Sequence, residues 1–201
     1  MKLQIVKLVA PQRLERLDVE LLPLQGDEIL VRVVACGVCT SELPAYRGET
    51  QTGTPGVSFR YAKYPCALGH EVVGIVEDLG PQAKVFKRGD RVTGVAYKDS
   101  GFASHVVESE SYWATVPSGF PLEHVLGEPI MAATNIVRTA NPDLEDFVVV
   151  IGAGFLSLLV VSMLSKYPLR SLVVTGRRAN RLKMAQSYGA THTIDASKVD
   201  A

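Results

Sequence analysis

Cysteine is scarce in this chain: three in 201 residues, at positions 36, 39 and 66. Cys36 and Cys39 form one Cys-x-x-Cys with no second such pair, which excludes a zinc ribbon, and no thioredoxin-like pattern surrounds it. So few thiols cannot make a disulfide framework, and a reducing, cytoplasmic setting is expected. Charge of one sign is also lacking, since 21 Lys and Arg balance 21 Asp and Glu. Without a basic run there is no surface for neutralising phosphates, so a nucleic-acid partner is not expected. The start Met1-Lys2-Leu3-Gln4-Ile5-Val6-Lys7 spaces its charges too closely for the apolar core of a signal peptide. Only Phe147 to Leu164 is long and uncharged enough to approach the roughly 18 residues of a membrane span. It opens with the β-branched run Val148-Val149-Val150-Ile151 and is broken by Gly152-Ala153-Gly154. A buried strand, a tight turn and a helix explain it better, so no membrane partner is expected.

What remains is ordinary globular composition, 47% hydrophobic and 21% charged. Short alternating or apolar runs at Leu3–Val9, Arg13–Leu21 and Glu28–Ala35 read as strands separated by Pro and Gly. Residues 47 to 65, with Gly48, Gly53, Pro55, Gly56 and Pro65, read as a loop. Further strands are expected at Glu71–Glu77, Arg91–Val95, Gly101–Val107 and Tyr112–Val116, a spacing that suggests a sandwich or barrel. After Pro121 the character changes. Leu122–Ala140 reads as helical, with Pro129 tolerated in a first turn. A strand at 147–151, a helix near 154–166, a strand at 171–175, a helix near 178–188 and a strand at 192–194 then give βαβαβ, half of a doubly wound sheet. The division is placed near Asn141-Pro142, giving a β-rich domain over 1–141 and a partial Rossmann-type α/β domain over 142–201. No internal repeat or low-complexity segment is visible.

Two stretches carry chemistry. Cys39 closes Val34-Ala35-Cys36-Gly37-Val38-Cys39-Thr40-Ser41-Glu42, and thirty residues later comes Gly69-His70-Glu71-Val72-Val73-Gly74. A thiolate, an imidazole and a carboxylate are the donors a borderline-soft divalent ion such as zinc selects. They lie on separate segments, as in a site made by tertiary folding, and three protein ligands leave one coordination position open for catalysis. The second stretch is Gly152-Ala153-Gly154-Phe155-Leu156-Ser157, which nearly completes G-x-G-x-x-G between a strand and a helix. Gly152 allows the turn and Gly154 lets a pyrophosphate approach the helix N-terminus, while Ser157 stands for the third glycine. The next strand ends Val174-Thr175-Gly176-Arg177-Arg178, with Gly176 where an NAD site places an acid for the ribose hydroxyl. Loss of that acid and a guanidinium able to grip a 2′-phosphate point to NADP in preference to NAD.

These residues, with Gly74, Gly80 and Ala83, the turn Gly89-Asp90-Arg91-Val92 and the pair Glu128-Pro129, resemble the zinc-containing medium-chain dehydrogenase/reductase family of alcohol and polyol dehydrogenases. The resemblance runs along essentially all 201 residues and implies a GroES-like barrel followed by a nucleotide-binding domain. It also implies hydride transfer between a small alcohol or carbonyl substrate and NADP(H). Two departures stand out. No cysteine lies between Thr93 and Val116, so the four-cysteine lobe that holds a second, structural zinc in many members is absent. Members also continue well past Ala201, so a fragment or truncated relative is expected, with an uncovered sheet edge that would favour homo-oligomers or another association. A zinc-binding module of that family with little or no turnover is therefore the competing expectation.

Carried over residue by residue, the resemblance makes Cys39 and His70 zinc ligands and leaves the third position open between Glu71 and Glu128. It makes Glu42 the carboxylate that hydrogen-bonds the ligating histidine, the usual way to hold an imidazole tautomer. Ser41 matches the hydroxyl that starts the proton relay, whose histidine in some members would fall at Pro44, and Thr40 lies beside the cofactor phosphates. Gly152, Gly154, Phe155, Leu156, Gly176, Arg177 and Arg178 would form the cofactor site. Cys36 and Cys66 are expected to be structural, and His105, His124 and His192 to be packing or surface residues.

Overall fold

The computed structural model describes residues 1–49 and 63–198, so most of the predicted loop over 47–65 lies outside the described residues. Two compact units are present, Met1–Glu128 and Pro129–Ala201.

The first unit is made of two antiparallel sheets. Strand β1 (Lys2–Ala10) pairs with β2 (Arg13–Glu20) and with the two-residue β4 (Cys66–Ala67). Alternation at the start of β1 turns Leu3 and Ile5 inward, the period of two that a half-buried strand requires, and Leu8, three residues further on, is also buried. The second sheet has the order β7-β3-β5-β6-β8, formed by β3 (Glu28–Gly37), β5 (Glu71–Leu79), β6 (Arg91–Val95), β7 (His105–Ser109) and β8 (Trp113–Thr115). β5 is covered on both faces. Val72 and Val76 join Ile29, Val31, Val92 and Trp113 in one cluster. Val73 packs with Val116 and Leu122 in another. The β3–β5 register shifts between Val33 and Ala35, where Gly74 lies so close to the Arg32 carbonyl that no side chain could stand there. A glycine at such an irregularity is the usual mark of a bulge or of close backbone approach.

The predicted strand over Gly101–Val107 begins later, at His105. Residues 102–104 turn their hydrogen bonds to β1 instead, through Val6 N–H to the Phe102 carbonyl (2.9 Å) and Ser104 N–H to the Gln4 carbonyl (2.8 Å). A short helix α1 (Leu43–Arg47), absent from the sequence reading, follows Cys39. Pro44 at its first turn and Gly48 at φ +88° beyond its end are the punctuation such a helix needs.

The second unit holds a parallel sheet of order β11-β10-β9, from β9 (Phe147–Ile151), β10 (Ser171–Gly176) and β11 (His192–Asp195). Helices α3 (Phe155–Leu164) and α4 (Ala179–Ser187) are the crossovers. This is the 3-2-1 half of a doubly wound sheet, as predicted. The long uncharged run thus becomes β9, a turn and α3, and no helix among the described residues is long and apolar enough to cross a membrane.

Helix α2 (Gly127–Ala140) begins in the first unit and continues into the second. Its Ala133 and Val137 join Leu158, Val161, Leu172 and Val174 in the second core. That packing moves the division from the expected Asn141-Pro142 to Glu128/Pro129. Helical period had grouped Leu122–Ala140 as one segment, but Leu122–His124 is a separate 3₁₀ turn. On β9, Val148 and Val150 face this core while Phe147, Val149 and Ile151 are exposed, Ile151 by 86%.

Leu172→Ala should lower unfolding free energy by about 2–5 kcal/mol, since its side chain is buried in the second core. Ile151→Ala on the open face should change it by no more than about 0.5 kcal/mol. Urea midpoints at constant slope measure both, and equal effects would refute this division into faces.

Candidate functional site

The antiparallel pairing of β3 with β5 sets Cys36 across from Val72 and Gly37 across from Glu71. The chain leaves β3 in extended conformation at Cys39 (φ −88°, ψ 141°) and turns at once into the 3₁₀ segment Thr40–Glu42. His70 stands immediately before β5. One end of the sheet therefore gathers Cys39, His70 and Glu71, whose donor atoms all lie within 4.8 Å of one another. Glu71 is only 8% exposed, and no described side chain hydrogen-bonds or ion-pairs with its carboxylate. A buried carboxylate without a donor is costly unless a cation meets it. Sulfur, nitrogen and oxygen donors at this spacing fit a zinc ion.

Glu42 is 3% exposed and does two things with one oxygen. Its Oε1 accepts the Gly69 N–H at 2.7 Å and meets His70 Nδ1 at 2.8 Å. An ionised carboxylate can only accept, so Nδ1 is the nitrogen that carries a proton here, and a neutral ring so held would keep its lone pair on Nε2. Glycine is required at 69 because φ is +78° and a side chain would strike the Phe102 backbone and Cys36 Sγ. The sulfur of Cys36 thus packs against Gly69, and Cys36 is not one of the Cys39–His70–Glu71 donors. Cys66 is buried with Leu8, Ala45 and Leu68.

Glu128 is half-buried in the first turn of α2 and lies outside the Cys39–His70–Glu71 group. Thr93 links that turn to β5: its hydroxyl donates to the Val72 carbonyl (2.9 Å) and accepts the Gly127 N–H (2.8 Å). Glu128 still acts electrostatically. The Glu42 hydrogen bond raises the His70 pKa above the ordinary imidazole value against the opposing effect of burial, with the charges of Glu42, Glu128 and Glu71 adding to it. Burial raises the Glu128 pKa, with His70 opposing and Glu71 adding to the rise. Ser41 is half-buried and Thr40 exposed, and neither hydroxyl has a hydrogen-bond partner among the described residues. Thr93 and Gly37 were not singled out in the sequence, because their importance comes from cross-strand neighbours that no local motif reveals.

In the second unit, Gly152 has φ +97° and donates its N–H to the Thr175 carbonyl at 3.0 Å. Gly154 precedes α3 with nothing within 4 Å of where a side chain would begin. Open space at a helix N-terminus is what a phosphate needs. A cleft of about 540 Å³ opens here, lined by Gly152, Gly154, Phe155, Gly176 and the arginines 177, 178 and 181. Leu156 lies on α3 outside that lining. Gly176 is closely flanked, since an added methyl would sit 3.1 Å from both Ala153 Cβ and Leu182 Cδ2. No described carboxylate pairs with Arg177, Arg178 or Arg181. Arg181 is a lining residue that the sequence reading did not select; only the start of α4 brings it round to the cleft. His105 hydrogen-bonds Glu77 and Ser104, in keeping with a structural role.

Residues 25–139 match the alcohol dehydrogenase GroES-like domain. Galactitol 1-phosphate 5-dehydrogenase of Escherichia coli strain K12 is 24% identical over 202 residues, covering 87% of this chain and 56% of that protein. The crystal structure of short chain alcohol dehydrogenase (rspB) from E. coli CFT073 complexed with NADH has a TM-score of 0.81 at 22% identity, covering 98% of this chain and 64% of that one. That of CAD from Helicobacter pylori complexed with NADP(H) has a TM-score of 0.79 at 19% identity, covering 100% and 66%. The chain thus spans less than two thirds of the length of each of these relatives. The metal-donor cluster and glycine turn, the matched domain and these relatives together lead to one conclusion: the chain belongs to the zinc-type medium-chain dehydrogenase/reductase family, carrying an alcohol dehydrogenase GroES-like domain followed by the first part of a Rossmann-type domain.

Proposed function

We propose that this chain carries the zinc-binding and nucleotide-binding parts of an alcohol or polyol dehydrogenase-type oxidoreductase that uses NADP(H) in preference to NAD(H). The convergence of Cys39, His70 and Glu71, with Glu42 on the far nitrogen of His70, carries the reading. When bound, zinc supplies Lewis acidity toward an alcohol or carbonyl oxygen, and the nicotinamide supplies the hydride chemistry.

Cys39, His70 and Glu71 would hold the ion, with Glu42 fixing the imidazole through Nδ1 and so leaving Nε2 for the metal. Glu128 is an acidic group beside the ligands whose pKa burial raises. Ser41 is the first carrier of the substrate proton, and Thr40 offers a neutral hydrogen bond to cofactor phosphate. In the cleft, Gly152 and Gly154 would leave room for the pyrophosphate, with Phe155 beside them, and Arg177 and Arg178 would be available to a 2′-phosphate. No acidic residue lines the cleft among the described residues, which supports NADP(H), because a carboxylate there would repel that phosphate. The competing reading is a zinc-binding module of the family with little or no turnover.

Chelator-washed protein reloaded with zinc should hold about one ion per chain. Cys39→Ala or His70→Ala should abolish that binding and Cys66→Ala should leave it unchanged, as read by metal analysis; a full ion in the His70 variant would sink the site. Glu42→Ala should weaken zinc about 10- to 100-fold in a chelator competition, because His70 loses its orienting partner. NADPH should bind more tightly than NADH in direct titrations, and Arg177→Ala with Arg178→Ala should cost NADPH about 10- to 100-fold while sparing NADH. Equal affinities in the wild-type chain would remove the NADP preference. Oxidation of simple alcohols with NADP by the 201-residue chain separates the enzyme from the module, for the module yields no NADPH.

A further inference from the structure

Gly37 is the last residue of β3 and the direct cross-strand partner of Glu71, the first residue of β5. It is not one of the glycines with positive φ, so its backbone does not demand glycine. The demand is for space. A methyl group at 37 would fall deep inside the volume of the Glu71 Oε2 atom, 2.9 Å from Leu126 Cδ1 and 3.0 Å from the Glu71 Cβ. Directly opposed residues share one face of a sheet, so a missing side chain on one strand leaves room for its partner to lie across it. The Glu71 carboxylate uses that room, lying over β3 toward the segment that continues to Cys39.

We propose that Gly37 is a positioning residue: by having no side chain it lets the Glu71 carboxylate reach Cys39 and His70, and so makes Glu71 rather than Glu128 the third metal donor. This rests on the zinc reading above. With an alanine at 37 the new methyl, itself crowded by Leu126, takes the place of the Glu71 carboxylate, which must leave the donor group. Cys39 and His70 would remain, with Glu128 the carboxylate next in line. Glu128 is held apart at the start of α2 by the Thr93–Gly127 hydrogen bond.

The test is a double-mutant cycle on the full chain, read by zinc affinity in a chelator competition and by the visible spectrum of the cobalt-substituted protein. Gly37→Ala should weaken zinc about 10- to 100-fold, as losses of groups that orient a ligand commonly do. It should keep the thiolate-to-cobalt charge-transfer band of Cys39 and shift the ligand-field bands. In the Glu71→Ala background the same substitution should change zinc affinity less than twofold, since the carboxylate it displaces is gone. Unchanged zinc affinity in Gly37→Ala, or its full loss repeated on top of Glu71→Ala, would overturn the proposal. Wild-type protein that binds zinc no better than Glu71→Ala overturns it too while leaving the zinc reading intact; wild-type protein that binds none removes both. Should Gly37→Ala alone not fold, folding of the Gly37→Ala/Glu71→Ala pair supports the same clash, and failure of both shows that Gly37 serves the strand end instead.

Discussion

Where β3 runs out against the start of β5, two strands distant in sequence are locked in one antiparallel register. Gly37 meets Glu71, Cys39 follows two residues later, and His70 stands one residue before. A slip of one position would turn every side chain of the pair to the opposite face, so the donor group depends on the register being held. It is held by burial. Ile29, Leu30 and Val31 on β3 and Val72, Val73 and Val76 on β5 are almost wholly out of water, and β5 has a hydrophobic cluster on each face. The apolar strands that make the first unit stable are thus the same ones that aim its chemistry.

Polar groups then set the details that burial alone leaves open. Glu42 is a buried charge, tolerable because it receives the Gly69 N–H and the His70 Nδ1–H at once. In satisfying itself it decides which imidazole nitrogen faces the donors. Thr93 acts similarly for the start of α2, binding a β5 carbonyl and a helix N–H with one hydroxyl. Three carboxylates, Glu42, Glu71 and Glu128, surround a single imidazole, and their differing burial and partners give them differing work. The surplus of negative charge is itself a physical reason to expect a cation among them.

The second unit follows a different logic. Its parallel strands need cover on both faces, and the described residues supply it on one. Val148 and Val150 are packed, whereas Phe147, Val149 and Ile151 are open. The cleft of this unit is nevertheless formed, because a glycine turn, the end of β10 and the first turn of α4 are contributed by consecutive elements. Local construction explains why this site was so readable: a strand, Gly-x-Gly and a helix are contiguous, so spacing in the chain is spacing in the fold.

By itself the sequence was enough for most strands of both units and for the βαβαβ half of a doubly wound sheet, and it offered Cys39, His70 and the glycine turn as candidates, because period, turn residues and donor chemistry are local properties. It left the third donor undecided, since Glu71 and Glu128 are equally acidic in a string of letters. It also joined Leu122–Ala140 into one helix, started a strand at Gly101 and missed α1. In each case a hydrogen bond or hydrophobic contact from elsewhere in the chain overrode the local pattern. Only the tertiary structure drew Glu71 into the donor group, kept Glu128 beside it and brought Arg181 to the cleft. Those outcomes rest on which residues face one another across strands and between helix and sheet, and that pairing is a property of the packed chain.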